Sequence, residues 1–130
     1  HGVKDNTFDF IHSSHCLEHM KDPQIALKNW LRILKPGGYI ITTVPDEDMY
    51  EGGVFPSRYN SDHKWTMTIQ KKHSWSKKSI NITDLLKPFK EIKIIKIELI
   101  EDFFSPSITT DQTLNTVAEC CIEFIIQKLE

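Results

Sequence analysis

The stretch DNTFDFIHSSHCLEHMKDPQIALKNWLRILKPGGYIITTVPD, residues 5–46, decides the fold. Residues 6–14 are short and β-prone, with Phe8, Phe10 and Ile11 between polar borders, the pattern of a buried parallel strand. Asp22 then offers a carboxylate to cap a helix, and Pro23 suits the first helical position, where no N–H is needed. Ile25 or Ala26, Leu27, Trp30, Leu31 and Leu34 recur at three-to-four spacing. That spacing predicts an amphipathic helix of about three turns, with Trp30 in the core. Pro36 disfavours helical backbone at Lys35, and Pro36-Gly37 suits the centre of a type II turn. Residues 39–44, rich in β-branched side chains and closed by Pro45, read as a second buried strand. Strand, helix, tight turn and strand make one βαβ unit, expected to cross over right-handed and to leave its strands parallel.

Beyond this unit the pattern loosens. Residues 46–75 are polar, aromatic and irregular, and a connection of this length in a compact domain is usually functional. Residues 79–87 read as a short helix stopped before Pro88. Ile92, Ile94 or Ile95, Ile97 and Leu99 alternate with Lys and Glu, which predicts a half-exposed strand. Ala118, Cys120, Ile122, Phe124 and Ile126 alternate with Glu119, Cys121 and Glu123, which predicts a strand with Cys120 buried and Cys121 exposed.

Composition narrows the function classes. The chain has 130 residues, 39% hydrophobic and 26% charged, enough for one globular domain with a modest core. Sixteen basic and eighteen acidic side chains give a net charge of -2. Neither nucleic acid nor an anionic membrane surface is called for as a partner. The apolar runs are far shorter than the roughly 20 residues of a membrane helix, and the first residues do not read as a signal peptide. Cys16, Cys120 and Cys121 form no CxxC pair, which fits a reduced, cytoplasmic setting.

Residues 5–46 resemble the class I S-adenosylmethionine-dependent methyltransferases, especially a broad bacterial group with a pattern like FDxIxSxHxLEHxxDPxxALxxWxRxLKPGG. Two separated blocks match in order and spacing, and the later chain looks like bacterial methyltransferases of small molecules or surface sugars. The resemblance implies an α/β, Rossmann-like sheet of seven strands with helices on both faces, the last strand antiparallel and inserted between the fifth and sixth. Residues 8–13 would be its fourth strand, 39–44 its fifth, 91–99 its sixth and 117–128 its seventh. The family's glycine-rich cofactor turn is not found, because none of the five glycines (Gly2, Gly37, Gly38, Gly52 and Gly53) makes a GxGxG. Residues 1–130 are therefore expected to be the C-terminal half of a methyltransferase domain, an incomplete sheet of strands four to seven with flanking helices. Residues 46–78 would be a substrate-side loop insertion. Such a chain should bind S-adenosylmethionine weakly or not at all, and an unpaired edge on its first strand should favour a homo-oligomer.

Ligands of open α/β sheets sit at the carboxyl ends of the strands, which is where SSHCLEH falls. The resemblance brings Ser13, Ser14 and His15 towards the methionine part of the cofactor and its methyl group, with Leu17 and Glu18 packed beneath. In the long loop, His63 is the candidate general base, oriented by Asp62 or another carboxylate, and His15 is the second catalytic candidate. Arg58 is suited to a carboxylate or phosphate on the substrate, Tyr59 to a ring- or sugar-binding wall and Asp62 to a polar contact, while Trp65 reads as core.

His15-x-x-Glu18-His19 also gathers groups that bind transition metals. Some methyltransferases of this superfamily carry ExxEH here and hold a divalent cation. With His63 as a fourth ligand, the donors would suit zinc, iron or manganese. In context the stretch is the turn that leaves a strand, so the expectation is that no metal is held and that Glu18 and His19 support the loop. The whole predicts O- or N-methylation of a small molecule or sugar with S-adenosylmethionine. The rival readings are a noncatalytic α/β interaction module that needs an N-terminal half, and a metal-dependent enzyme.

Overall fold

The computed structural model describes residues 2–114 and 118–130. In chain order it contains β1 (Phe8–Ser14), a 3-10 turn (Leu17–His19), α1 (Pro23–Ile33) and β2 (Leu34–Pro45). Then follow β3 (Thr66–Thr68), β4 (Ser79–Asn81), α2 (Ile82–Leu86), β5 (Ile92–Ile100) and β6 (Cys121–Lys128). The main sheet runs β1-β2-β6-β5, with β1 parallel to β2 and β6 antiparallel to both of its neighbours. The last strand thus enters between the two that precede it, as the resemblance implied. Val117, the first residue of the expected strand over 117–128, lies outside the described residues, and the ladder begins at Cys121. No helix of the described residues is long and apolar enough to cross a membrane.

The βαβ unit forms for the reasons its sequence supplies. Asp22 Oδ1 accepts the N–H groups of Gln24 and Ile25 at 3.0 and 3.2 Å, and Pro23 opens α1. Leu27 and Leu31 are buried, and Ala26 and Trp30 pack at the core margin. Ile25 faces solvent instead, so the apolar stripe passes through Ala26. Pro36-Gly37 does not separate helix from strand. Residues 35–38 form a bulge inside β2, where Leu34 pairs with Phe8 and Tyr39 with Phe10. Gly37 takes φ +83°, and a Cβ on Gly38 would lie 2.7 Å from the Asp9 carbonyl oxygen, so neither position accepts a larger residue without a shift.

One face of the sheet carries the core. Ile40 and Val44 of β2 and Ile122, Phe124 and Ile126 of β6 meet the apolar sides of both α1 and α2. Among the described residues α1 and α2 both cover this face, flanking the incomplete sheet. The expected burial of the first strand fails. β1 is an edge strand, with Phe8 44% and Phe10 52% exposed. In β5 the predicted alternation breaks at a bulge between Ile94 and Lys96: Ile92 and Ile97 pack on the core while Ile94 and Ile95 are exposed. Cys121 is buried beside Cys120, because the strand starts only at Cys121 and no alternation precedes it. Burial pushes the two thiols up to about 11 for Cys120 and about 12 for Cys121.

The long connection is not wholly irregular. β3 pairs in parallel with β4, and Met67 bridges to Asp46 just past β2, so this small sheet is fastened to the end of the large one. The helix expected over 79–87 is shorter, since Ser79–Asn81 go to β4 and the Asn81 side chain caps α2 at Thr83 N–H, 3.0 Å. Trp65 is structural, packing at the core margin and donating Nε1–H to the Met20 carbonyl at 3.0 Å.

Glu47 pins the excursion down. Its fully buried carboxylate accepts from Thr66 Oγ1 (2.8 Å), Ser79 Oγ (2.7 Å), Ser74 Oγ (2.6 Å) and Lys71 Nζ (2.7 Å). Burial alone would raise its pKa, but the bonds from Lys71, Ser74, Ser79 and Thr66 outweigh that and hold it below the usual value. A depressed carboxylate contributes stability that is complete above its unfolded-state pKa and is lost as pH falls through the folded one. Glu47→Ala should therefore cost about 3 kcal/mol at neutral pH, read as a lower urea midpoint at unchanged slope. The difference between variant and wild type should shrink as the pH is taken well below about 4. An equal difference at all pH values would disprove the assignment.

Candidate functional site

The carboxyl ends of β1, β2 and β5 and the start of β6 share one rim. There His15 N–H donates to the Thr43 carbonyl at 2.9 Å, extending the β1–β2 ladder by one residue. His15 then adopts φ +51°, a left-handed conformation costing a non-glycine residue on the order of 1 kcal/mol. This reversal turns the chain inward, so that Leu17 and Glu18 are fully buried in the 3-10 turn. Of the residues expected near a cofactor, Ser14 and His15 stand at the surface, and Ser14 Oγ accepts from Thr43 Oγ1 at 3.1 Å. Ser13 is buried with its hydroxyl unpartnered, and Leu17 lies in the core.

Glu18 is the centre of an imidazole cluster. Its oxygen Oε1 lies 3.6 Å from His19 Nε2, 3.7 Å from His63 Nε2 and 4.0 Å from His15 Nδ1, and among the described residues neither carboxylate oxygen has a hydrogen-bond partner. Desolvation raises the Glu18 pKa, against the opposing pull of its own backbone N–H and of the three imidazoles. Backbone geometry builds the cluster, because Lys64 N–H donates to the Glu18 carbonyl at 2.9 Å and brings His63 alongside. His63 Nδ1–H donates to Glu51 Oε1 at 2.6 Å, and His19 Nδ1–H to Asp62 Oδ2 at 3.0 Å. The carboxylate that orients His63 is thus Glu51, while Asp62 serves His19 and Lys64. Glu51 carries no local signal in the sequence, since its partner is fixed only by the folded loop. The donors of Glu18, His19 and His63 lie within 4.8 Å of one another, a set able to hold a metal ion.

A cavity of about 490 Å³ opens beside the cluster, lined among others by Tyr50, Arg58, Tyr59, Trp75, Asp111 and Cys120. Tyr50, Arg58 and Tyr59 follow β2, Trp75 lies between β3 and β4, and Asp111 and Cys120 lie between β5 and β6, so the cavity sits beyond the carboxyl ends of the parallel strands. Tyr50 forms the partition, with its ring 5.4 Å from that of His63 and 5.6 Å from that of Tyr59. Its hydroxyl donates to Asp111 Oδ2 at 3.1 Å, and that of Tyr59 to the Thr109 carbonyl at 2.9 Å. The Arg58 guanidinium lies 5.0 Å over the Tyr59 ring. Arg58 and Tyr59, expected at the substrate, therefore line the cavity, whereas Asp62 stands outside it beside His19. Sequence reasoning missed Tyr50, Trp75 and Asp111. The aromatic content of the long loop was a signal for the first two, and Asp111 had none.

Comparison with known proteins places this geometry. The profile of the methyltransferase domain family matches residues 2–89. An uncharacterized methyltransferase of Schizosaccharomyces pombe is 38% identical over 58 residues, 45% of this chain and 20% of that protein. An S-adenosylmethionine-dependent methyltransferase of Thermotoga maritima, described as a possible histamine N-methyltransferase, superposes with a TM-score of 0.59 at 22% identity. It covers 99% of this chain, which spans 59% of it. One from Methanosarcina mazei has a TM-score of 0.58 at 16% identity, over 98% of this chain and 62% of its own. This chain accordingly spans a fifth of the curated relative and about three fifths of these structures. With the profile matched over more than half its length, and β6 inserted between β2 and β5, the chain belongs to the methyltransferase domain family.

Proposed function

We propose that this chain carries the acceptor side of an S-adenosylmethionine-dependent methyltransferase acting on oxygen or nitrogen of a small molecule or sugar. The observation that carries the proposal is the cavity beyond the strand ends, whose 490 Å³ falls within the roughly 300–1,000 Å³ usual for small-molecule sites. Tyr50, Tyr59 and Trp75 offer ring faces to a sugar or aromatic acceptor, and Arg58 offers a guanidinium to a carboxylate or phosphate on it. On the cofactor side, Ser14 and His15 present polar groups at the rim, and the unpartnered Ser13 hydroxyl lies just behind them. These three residues fit the polar methionine end.

S-adenosylmethionine supplies a methyl group already activated on a sulfonium, which leaves positioning and acceptance of a proton to the protein. His15 is the group for the proton. Its imidazole is exposed at the rim, with Nδ1 4.0 Å from Glu18 Oε1. His63, behind Tyr50 and held by Glu51, is a positioning residue for the cavity wall.

Incubation of the protein with labelled S-adenosylmethionine and a panel of small-molecule and sugar acceptors should label that fraction. Label confined to protein or nucleic acid would overturn the proposal. His15→Gln should lower kcat on the order of 100-fold with KM little changed. Arg58→Ala should instead raise KM about tenfold for an anionic acceptor, with kcat little changed.

The open edge of β1, with Phe8 and Phe10 exposed, supports self-association. Light scattering should show molar mass rising with concentration, and Phe10→Lys should suppress the rise. A constant monomer mass up to high concentration would refute it.

A further inference from the structure

We propose that the cavity selects an acceptor bearing a carboxylate or phosphate group, with Arg58 as the specificity-determining residue and Gly52 as the residue that positions it. This rests on the cavity being the acceptor site and names the acceptor's class, an aromatic or sugar acid or phosphate ester. Two observations lead there.

The first is how the charges are paired. The chain has two arginines. Arg32 is engaged, its Nη1 donating to Asp5 Oδ1 at 2.6 Å and to the Val3 carbonyl at 2.9 Å. Among the described residues the Arg58 guanidinium has neither an ion pair nor a hydrogen bond, although Asp48 and Asp111 line the same cavity. Both of those carboxylates are already occupied. Asp48 takes Lys71 Nζ at 2.9 Å and Trp75 Nε1–H at 2.9 Å. Asp111 takes the Tyr50 hydroxyl at 3.1 Å, and the N–H and hydroxyl of Thr113 at 2.9 and 2.6 Å. Arg58 is thus the cation of the lining, with its donors unengaged. A guanidinium is always charged, and its fork matches an oxyanion in two-point contact.

The second observation is how that fork is held. Its central carbon lies 5.0 Å over the ring of Tyr59, whose own hydroxyl is fixed by the Thr109 carbonyl at 2.9 Å. Its Nη2 occupies the space beside Gly52, where a Cβ would come within 2.5 Å of it. Gly52 is fastened in turn, its N–H donating to the Glu47 carbonyl at 3.1 Å. A ring and a bare stretch of backbone therefore place the guanidinium before any ligand arrives, which lowers the ordering cost of binding. Gly52 and Gly53 both take left-handed backbone, φ +64° and +83°, but a Cβ on Gly53 would meet nothing within 4 Å. Turn geometry asks for glycine at both positions, and only at Gly52 does Arg58 ask for it as well.

Binding is read without methyl transfer. Transfer confined to uncharged acceptors would overturn the anion preference and leave the reaction standing, while anion binding without transfer would do the reverse. Benzoate, phenyl phosphate and glucuronate are titrated into the protein by ligand-observed NMR, each beside an uncharged counterpart, benzamide, phenol or glucose. At least one anion should bind about tenfold or more tighter than its counterpart, and the separate arms tell carboxylate from phosphate. Arg58→Ala should abolish the preference, and Arg58→Lys should restore only part of it, since an ammonium keeps the charge but not the fork. Gly52→Ala should lose the preference as fully as Arg58→Ala, and the double variant should be no weaker than either. Gly53→Ala carries similar backbone strain without the contact and should keep the preference. Should Gly52→Ala fail to fold, Gly52→Asn, better suited to left-handed backbone, sets the same Cβ against Nη2. Equal binding of every anion and its counterpart, or a preference undiminished by the Gly52 variants, would overturn the proposal.

Discussion

Glu47 sits fully buried just past the end of β2, and its carboxylate is reached by Thr66, Lys71, Ser74 and Ser79, all from the excursion that follows it. An unpaired charge there would cost several kcal/mol, so the chain that supplies the donors cannot drift away without exposing or stranding it. That constraint draws β3 against the end of the main sheet, where Met67 bridges to Asp46 and Glu47 N–H donates to the Met67 carbonyl at 2.8 Å. His63 and Lys64 immediately precede β3, so fixing β3 also fixes where they can lie. Lys64 N–H then meets the Glu18 carbonyl, and the imidazole of His63 arrives beside Glu18. The cluster at the rim is thus a consequence of a hydrogen-bond network that contains none of its members.

Glu18 and Glu47 show how the same buried group serves two ends. Glu47 is surrounded by donors and its pKa falls below the usual range, the behaviour of a structural anchor. Glu18 is surrounded by nitrogens just out of hydrogen-bonding range, and desolvation moves its pKa the other way. The left-handed His15 fits this contrast, because local strain is retained where it aims a buried side chain at its neighbours.

The βαβ unit was legible because its determinants are local. Asp22 and Pro23 start α1 with a cap and a missing donor, and the three-to-four spacing of Leu27 and Leu31 points the helix at the sheet. The place of β6 was legible through family resemblance, since its alternation gives a strand but not its neighbours. What could not be read rests on contacts between distant residues. Glu51 lies in a glycine-rich turn and finds His63 only after the loop has folded back. β3 and β4 are three residues each, too short to show a period, and exist because Glu47 gathers them. The bulge at Ile94–Lys96 shifts the face of every later residue in β5 by one, which no alternation in the sequence could announce. For the candidate site, the sequence named the imidazoles and Glu18 and offered Asp62 or another carboxylate to orient His63, without a signal that the partner is Glu51.

Tyr50 joins the two halves of the site. Its ring packs on His63 on one side and on Tyr59 on the other, and its hydroxyl is tied to Asp111 across the cavity. Burial, and the neighbouring Asp111 charge, raise its pKa, so the phenol stays protonated and the donor bond to Asp111 persists through the neutral range. A wall residue bonded on three sides cannot rotate to suit an acceptor without disturbing His63, and His63 cannot turn without leaving Glu51. Methyl transfer asks for a nucleophile held in line with the methyl group more than for covalent chemistry by the protein. Tyr50, with the Glu51-held His63 behind it, gives the cavity that carries Arg58 and Tyr59 a fixed wall.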